Sequence, residues 1–303
     1  MAPARPSRRS ALIGAALVVG SSVAFSGKAV MAKLLYRQGV DPLTVLALRM
    51  GFSLPLFVGA AWWTGRSAPP LARRDLGAAL LLGGVAYYLS SLGDFLGLRF
   101  ISAGLERLIL FTYPTLVVLL SSVVLRERIG RWQLVSLGVT YAGVALVFRA
   151  ESAHAAAAPS RQVWLGAALV FGSAVTYASY LVGSTRYIRR LSAERFTSIA
   201  LSAAAVTTLL HFALTARPLL GYSSSVYGLG AAMAVVATVL PAFALAEGIR
   251  RIGPSASAIL GTLGPVSTLF LAHSFLGEPI LPMQLAGTAL VLLGATVVAR
   301  NTG

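Results

Sequence analysis

Stretches of about 20 apolar residues recur along the whole chain, at roughly 11–35, 43–63, 76–98, 101–125, 130–148, 163–185, 196–216, 226–249, 253–277 and 281–299. A helix needs about 20 such residues to cross the hydrocarbon of a bilayer, and only segments that satisfy their own backbone hydrogen bonds can span it. The pattern predicts an all-α integral membrane protein with ten transmembrane helices. Composition agrees: 11% of residues are charged and 57% hydrophobic, where soluble domains carry about 25% charged residues. The connections are short and leave no room for a soluble domain; the longest is AESAHAAAAPSRQ at 150–162. Cysteine is absent, which excludes disulfides, thiolate metal sites and cysteine nucleophiles.

A net charge of +16 raises the question of nucleic acid, and the placement of the basic residues answers it. With the N-terminus in the cytoplasm, sixteen fall in inner segments, among them Arg8, Arg9, Arg73, Arg74, Arg126, Arg128, Arg186 and Arg250. Five fall outside: Arg37, Arg99, Arg149, Arg161 and Arg217. That bias is the positive-inside signature. It predicts both termini in the cytoplasm and no nucleic-acid partner. The start, SRRSALIGAALVVGSSVAFS at 7–26, resembles a twin-arginine secretion signal, but much of it reappears mid-chain, which argues against cleavage.

That reappearance is an internal repeat. GAALVVGSSV at 14–23 and GAALVFGSAV at 166–175 agree at eight of ten positions, at an offset of 152. A second match lays 99–149 on 250–300 at an offset of 151 without gaps, with twelve identities that include Arg99/Arg250, Pro114/Pro265, Glu127/Glu278, Gln133/Gln284 and Gly143/Gly294. The chain divides into a first five-helix repeat at 1–149, a periplasmic linker at 150–162 and a second repeat at 163–303. Because five is odd, the second copy enters the membrane from the opposite side. Inverted repeats of this kind are typical of secondary transporters, whose site lies near mid-membrane between the copies.

The repeated unit stands as YPTLVVLLSSVVLRERIGRWQLVSLGVTYAGVALV and again as GPVSTLFLAHSFLGEPILPMQLAGTALVLLGATVV. An early proline, a Leu-rich run, a glutamate thirteen residues on and a glycine-rich span together resemble the EamA-type branch of the drug/metabolite transporter superfamily, and the resemblance covers essentially the whole chain. It implies a multi-pass carrier of the bacterial inner membrane, exporting an amino acid or another small metabolite by alternating access through a central cavity. Sugar-phosphate carriers share the plan, but the later spans lack the paired Lys and Arg that suit a phosphate. Proton-coupled export, an uncoupled facilitator or exchanger, and a non-transporting scaffold or sensor subunit are the readings to separate. The partners expected are a small-molecule substrate, the lipid bilayer and protons; one chain suffices, with no cofactor or metal. An enzyme is not expected: SGKA at 26–29 fails the phosphate-loop pattern at Ser22 and Ala29, and no hydrolase or zinc-protease motif is present.

Ionisable residues within spans are costly and mark functional sites by default. Lys28, Arg49, Asp94, Glu106 and Arg107 fall there, with Glu247, His211 and His273 nearer span ends. The third and fourth spans turn near Phe100 and Ile101, so Asp94 and Arg107 lie level and are expected to pair. Glu106 is about 100° round the helix from Arg107 and is expected to pair with Lys28. These four residues are candidates for substrate binding or proton coupling, with helix fastening as the plainer alternative. Tyr87, Tyr88, Tyr113, Tyr177 and Tyr180 sit within spans rather than at the interfaces where tyrosine usually belongs, and suit a cavity for a partly apolar ligand. Pro114, Pro241 and Pro265 interrupt spans and free backbone carbonyls, as candidate bends for gating. Arg49 reads as structural, Glu247 as a partner of Arg250, and His211 and His273 as interfacial. The matched Glu127 and Glu278 read as carboxylates that begin the following helix.

Overall fold

The protein is described from a computed structural model, which covers residues 8–66, 68–124, 130–154, 160–215 and 217–301. Among these residues nine helices are long and apolar enough to cross a membrane, and a tenth apolar helix is shorter. They are α1 (Arg8–Arg37), α2 (Pro42–Gly65), α3 (Arg73–Leu98), α4 (Ala103–Val124), α5 (Arg131–Ala150), α6 (Arg161–Ile188), α7 (Ala193–Leu214), α8 (Ser224–Ile252), α9 (Ile259–Leu276) and α10 (Pro282–Val297). Residues 155–159 of the linker lie outside the described set, as does Glu127. Large apolar side chains such as Leu12, Trp62, Leu210, Leu214, Phe270 and Leu293 are exposed, which suits a surface bathed in lipid.

Four spans are irregular, and they form two matched pairs. Spans α3 and α8 widen into π-helix at Leu82–Tyr87 and Val235–Val239. The α4 span breaks between Ala103–Leu110 and Tyr113–Val124. The region of α9 breaks likewise at Thr262, between Pro254–Gly261 and Leu263–Leu276. Pro114 and Pro265 follow the two breaks within three residues, because a proline nitrogen cannot donate to the turn before it. Pro241 stands just after the π segment of α8, and its carbonyl accepts from Ser21 Oγ at 2.8 Å.

Packing repeats the sequence symmetry. The extensive contacts of α1 with α8 are mirrored by those of α6 with α3, and α1 with α9 by α6 with α4; α2 packs on α7 and α5 on α10. Glycines set the close approaches. A Cβ added at Gly248 would come 2.5 Å from Val18 Cγ2 and 3.2 Å from the Gly14 carbonyl oxygen; one at Gly97 would come 2.6 Å from Val170 Cγ2 and 2.7 Å from the Gly166 carbonyl oxygen. Gly14 and Gly166, and Val18 and Val170, are equivalent at the 152 offset, as are Gly97 and Gly248 at 151. One helix crossing is thus built twice, by small residues that let backbones approach.

Several helix starts are capped by side chains, and the glutamate assignment needs correcting. Glu278 does not begin its own following helix: its Oε1 and Oε2 accept from Ala103 N at 3.2 and 3.1 Å, at the start of α4 in the other half, and it lies 3.7 Å from Lys33 Nζ. The reach-back expected of glutamate is made by the matched glutamines, Gln133 Oε1 accepting from Gly130 N at 2.8 Å and Gln284 Oε1 from Leu281 N at 3.0 Å. Asp41 caps α2, accepting from the Leu43 amide at 3.0 Å, the Thr44 amide and hydroxyl, and Arg217.

Gly248→Leu should therefore lower the melting temperature of the detergent-solubilised protein, at a cost of about 1–3 kcal/mol. Gly20→Ala in α1, where a Cβ meets nothing within 4 Å, should leave it within about 0.5 kcal/mol. Partial burial opposes ionisation of Asp41, but its bonds from Thr44, Arg217 and Leu43 outweigh it and hold the carboxyl below the usual range. That contribution is complete above the unfolded aspartate value near 3.9 and disappears as pH falls through the lower native one. Asp41→Ala should cost about 0.5–2 kcal/mol at neutral pH, and its deficit in melting temperature should close as pH drops from about 4 downward.

Candidate functional site

Lys28 lies nine residues before Arg37, the end of α1, about 13 Å along the helix at 1.5 Å per residue. Its ammonium is bonded to Asp94 Oδ2 of α3 and lies 3.2 Å from Glu106 Oε1 of α4. Lys28 is 8% exposed, Asp94 4% and Glu106 0%. One cation therefore holds two carboxylates, and a single cluster ties α1, α3 and α4 in the half of the bundle nearer the 38–41 loop. Asp94 Oδ1 and Glu106 Oε2 are buried without a hydrogen-bond partner.

Glu106 does pair with Lys28, but Arg107 does not pair with Asp94. Depth along the α3–α4 hairpin is the same for both, yet Asp94 faces α1, while Arg107 is turned about 100° away from Glu106 and faces α9. Its guanidinium packs on Gly264, where a Cβ would come 2.7 Å from Nη2 and 3.5 Å from Cζ and Nε. Arg107 makes no ion pair among the described residues, and its Nε is buried with no partner. The missing side chain at Gly264, two residues past the α9 break, makes the space this guanidinium occupies.

Arg49, expected to be structural, pairs with a neighbouring span. It is buried, donates from Nε to Thr238 Oγ1 at 2.8 Å, and lies 5.4 Å from the Phe95 ring centroid. Lys28 Nζ lies 5.8 Å from the same centroid, so both cations lie close to one ring. Thr238 itself bonds the Met233 carbonyl at 2.9 Å inside the π segment of α8, which the sequence carries no signal for. Ser26 Oγ bonds the Gly264 carbonyl at 2.7 Å, joining α1 to the α9 break. A serine two residues before a buried lysine was the available clue.

Four of the five tyrosines come together. Ring centroids are 5.2 Å apart for Tyr113 and Tyr177, 5.4 Å for Tyr87 and Tyr180, 6.3 Å for Tyr87 and Tyr177, and 6.1 Å for Tyr177 and Tyr180. Tyr88 is separate: its hydroxyl sits 2.6 Å from His211 Nδ1, which places His211 in a hydrogen-bonded pair with α3. Glu247 bonds Arg250 at 2.6 and 2.7 Å and Arg251 at 2.6 Å, and His273 Nδ1 lies 2.9 Å from the Glu278 carbonyl. Along the bundle axis the order is the Lys28 cluster, then Arg107 on Gly264, then the tyrosines at the α4 break. The repeat sets Tyr180 opposite Lys28, Ser257 opposite Glu106 and Ala258 opposite Arg107. The scaffold is symmetric and its chemistry is not.

Comparison with known proteins places this arrangement in a family. The chain is 30% identical over 286 residues to the uncharacterized transporter YcbK of Bacillus subtilis (strain 168), spanning 92% of this chain and 90% of that protein. An uncharacterized transporter of Archaeoglobus fulgidus is 25% identical over 94% of this chain and 98% of its own. A solved crystal structure superposes with a TM-score of 0.65 at 19% identity, covering 97% of this chain and 98% of that one, which establishes a shared fold. The pattern of the EamA-like transporter family matches twice, over residues 12–149 and 164–300. Two matched halves, ten helices and full-length transporter relatives lead to one conclusion: the chain belongs to the EamA-like transporter family of the drug/metabolite transporter superfamily.

Proposed function

We propose that this membrane transporter exports a small metabolite, an amino acid or related compound, across the bacterial inner membrane by alternating access, with proton return coupled at Lys28, Asp94 and Glu106. The observation that carries the reading is the Lys28 cluster: two carboxylates in direct contact with one ammonium, out of water, each with an oxygen left unpartnered. Buried polar atoms without partners are unusual, and a proton on either carboxylate would let the two acids bond to each other. The other charges near them are Arg49, close to the same Phe95 ring as Lys28, and Arg107, adjacent on α4. The positive-inside bias supports a periplasmic 38–41 end, and domain limits at 1–149 and 163–303 accord with the family match.

Alternating access also requires contacts between the halves that can part. At the 38–41 end these include Lys33 with Glu278, Glu278 with the α4 start, Arg37 with the Leu276 carbonyl and Arg217 with Asp41. At the other end Arg190 lies 3.5 Å from Asp75, and Arg195 bonds the Pro69 carbonyl at 2.9 Å. The breaks at Pro114 and Pro265 and the π segment before Pro241 give hinges between the two sets. One observation favours uncoupled exchange: Lys28 touches both acids and already balances part of their charge without a proton. Flux indifferent to an imposed pH gradient would establish that second reading.

The first test is a mass-spectrometric comparison of growth medium from bacteria overexpressing wild type or Glu106→Gln at matched membrane levels. A metabolite enriched by wild type should fall at least about tenfold with the variant, since a general acid or base contributes about that much or more. Equal enrichment would reduce Glu106 to a fastening role. Lys28→Met, which leaves two buried carboxylates without their cation, should destabilise the protein by about 3–5 kcal/mol. Adding Asp94→Asn and Glu106→Gln to it should restore most of the melting temperature, because no unpaired buried charge then remains.

A further inference from the structure

We infer that Arg107, with Tyr113 and Tyr177, forms the substrate subsite, and that it takes an organic monocarboxylate with a flat apolar body and no required ammonium group. This rests on the transporter reading above and narrows it. A guanidinium inside a membrane bundle normally has a carboxylate or backbone carbonyl against it. Arg107 has neither among the described residues: the two nearby acids belong to Lys28, and its Nε is buried and unbonded. Its Nη2–Nε edge lies against Gly264, which has no Cβ to push it away. The missing partner is an anion, and a guanidinium fork matches a carboxylate in two parallel bonds.

The rest of the subsite follows from what surrounds that fork. Arg107 and Tyr113 lie on either side of the α4 break, six residues apart, and the Tyr113 ring packs on that of Tyr177. These two rings are half-buried and 5.2 Å apart, edge to face, and neither hydroxyl has a hydrogen-bond partner among the described residues. Aromatic walls with free hydroxyls beside a fixed cation suit an aryl or similarly flat acid. Asp94 and Glu106 are the acids within reach of this level, and both are taken by Lys28. An ammonium on the substrate would therefore meet Arg107 with no carboxylate to balance it. The amino acids that the family resemblance suggests fit this site less well than the corresponding simple acids.

The test is equilibrium binding to purified full-length protein in nanodiscs, with four probes of one shape: phenylacetate, phenylacetamide, phenethylamine and phenylalanine. Binding is expected for phenylacetate, weaker by about ten- to a hundredfold for phenylacetamide, as for loss of a charged hydrogen-bonding pair, and weakest for phenethylamine. Arg107→Gln should bring phenylacetate down to the level of the amide and leave the amide unchanged. Gly264→Ala keeps the charge but fills the space beneath it, and should weaken phenylacetate alone. Glu106→Gln should retain phenylacetate binding, so that failure of proton coupling leaves this result standing. Equal binding of acid and amide, no saturable binding of the acid, tighter binding of phenylalanine or phenethylamine, or indifference to both Arg107→Gln and Gly264→Ala would each overturn the assignment. The acid-against-amide comparison uses wild type throughout and holds even where a variant fails to fold.

Discussion

An ammonium held between two carboxylates beneath the hydrocarbon is the contact on which the first half of this protein depends. Each of these charges alone would be costly to insert, and removal of one partner from such a cluster costs more than the cluster contributes. Lys28 therefore fixes α1 against α3 and α4 together, and the other features are arranged around that junction. Phe95 carries both the lysine and Arg49 close to its ring, Ser26 ties the same stretch of α1 to the break in α9, and Glu278 from the far half closes the start of α4.

The ten spans, the duplication and the family were legible because hydropathy and register leave long, redundant signals. Side-chain partners were legible only in part. Depth along a span can be counted from a turn, and it correctly set Lys28, Asp94 and Glu106 near one level. Azimuth cannot be counted when a helix is apolar on nearly every face, and so Arg107 was assigned to Asp94 although it turns toward Gly264. The glycine crossings went unread for a related reason, since a small residue facing another helix and one facing lipid, such as Gly248 and Gly20, look alike in sequence. Glu278 was read as local because capping is usually local, and its partner lies 175 residues away.

The two halves share a frame and divide the chemistry. Matched glycines, matched glutamine caps and matched helix breaks build the frame twice. Charged residues then occupy positions in the first half whose equivalents in the second are Tyr180, Ser257 and Ala258. A transporter with one substrate needs two interchangeable gates but only one binding chemistry, and an inverted repeat with unequal contents meets both needs.

The wide turns in α3 and α8 carry a further implication. A π turn holds one extra residue, so it rotates everything beyond it by about 100° relative to an uninterrupted α-helix. Asp94 and Phe95 lie beyond the turn at Leu82–Tyr87, and in a regular helix they would face away from Lys28. At the 151 offset the second turn, Val235–Val239, overlaps the first, and the position equivalent to Asp94 is Leu245. The extra residue is therefore common to both halves, while the acid it aims stands in the first half alone.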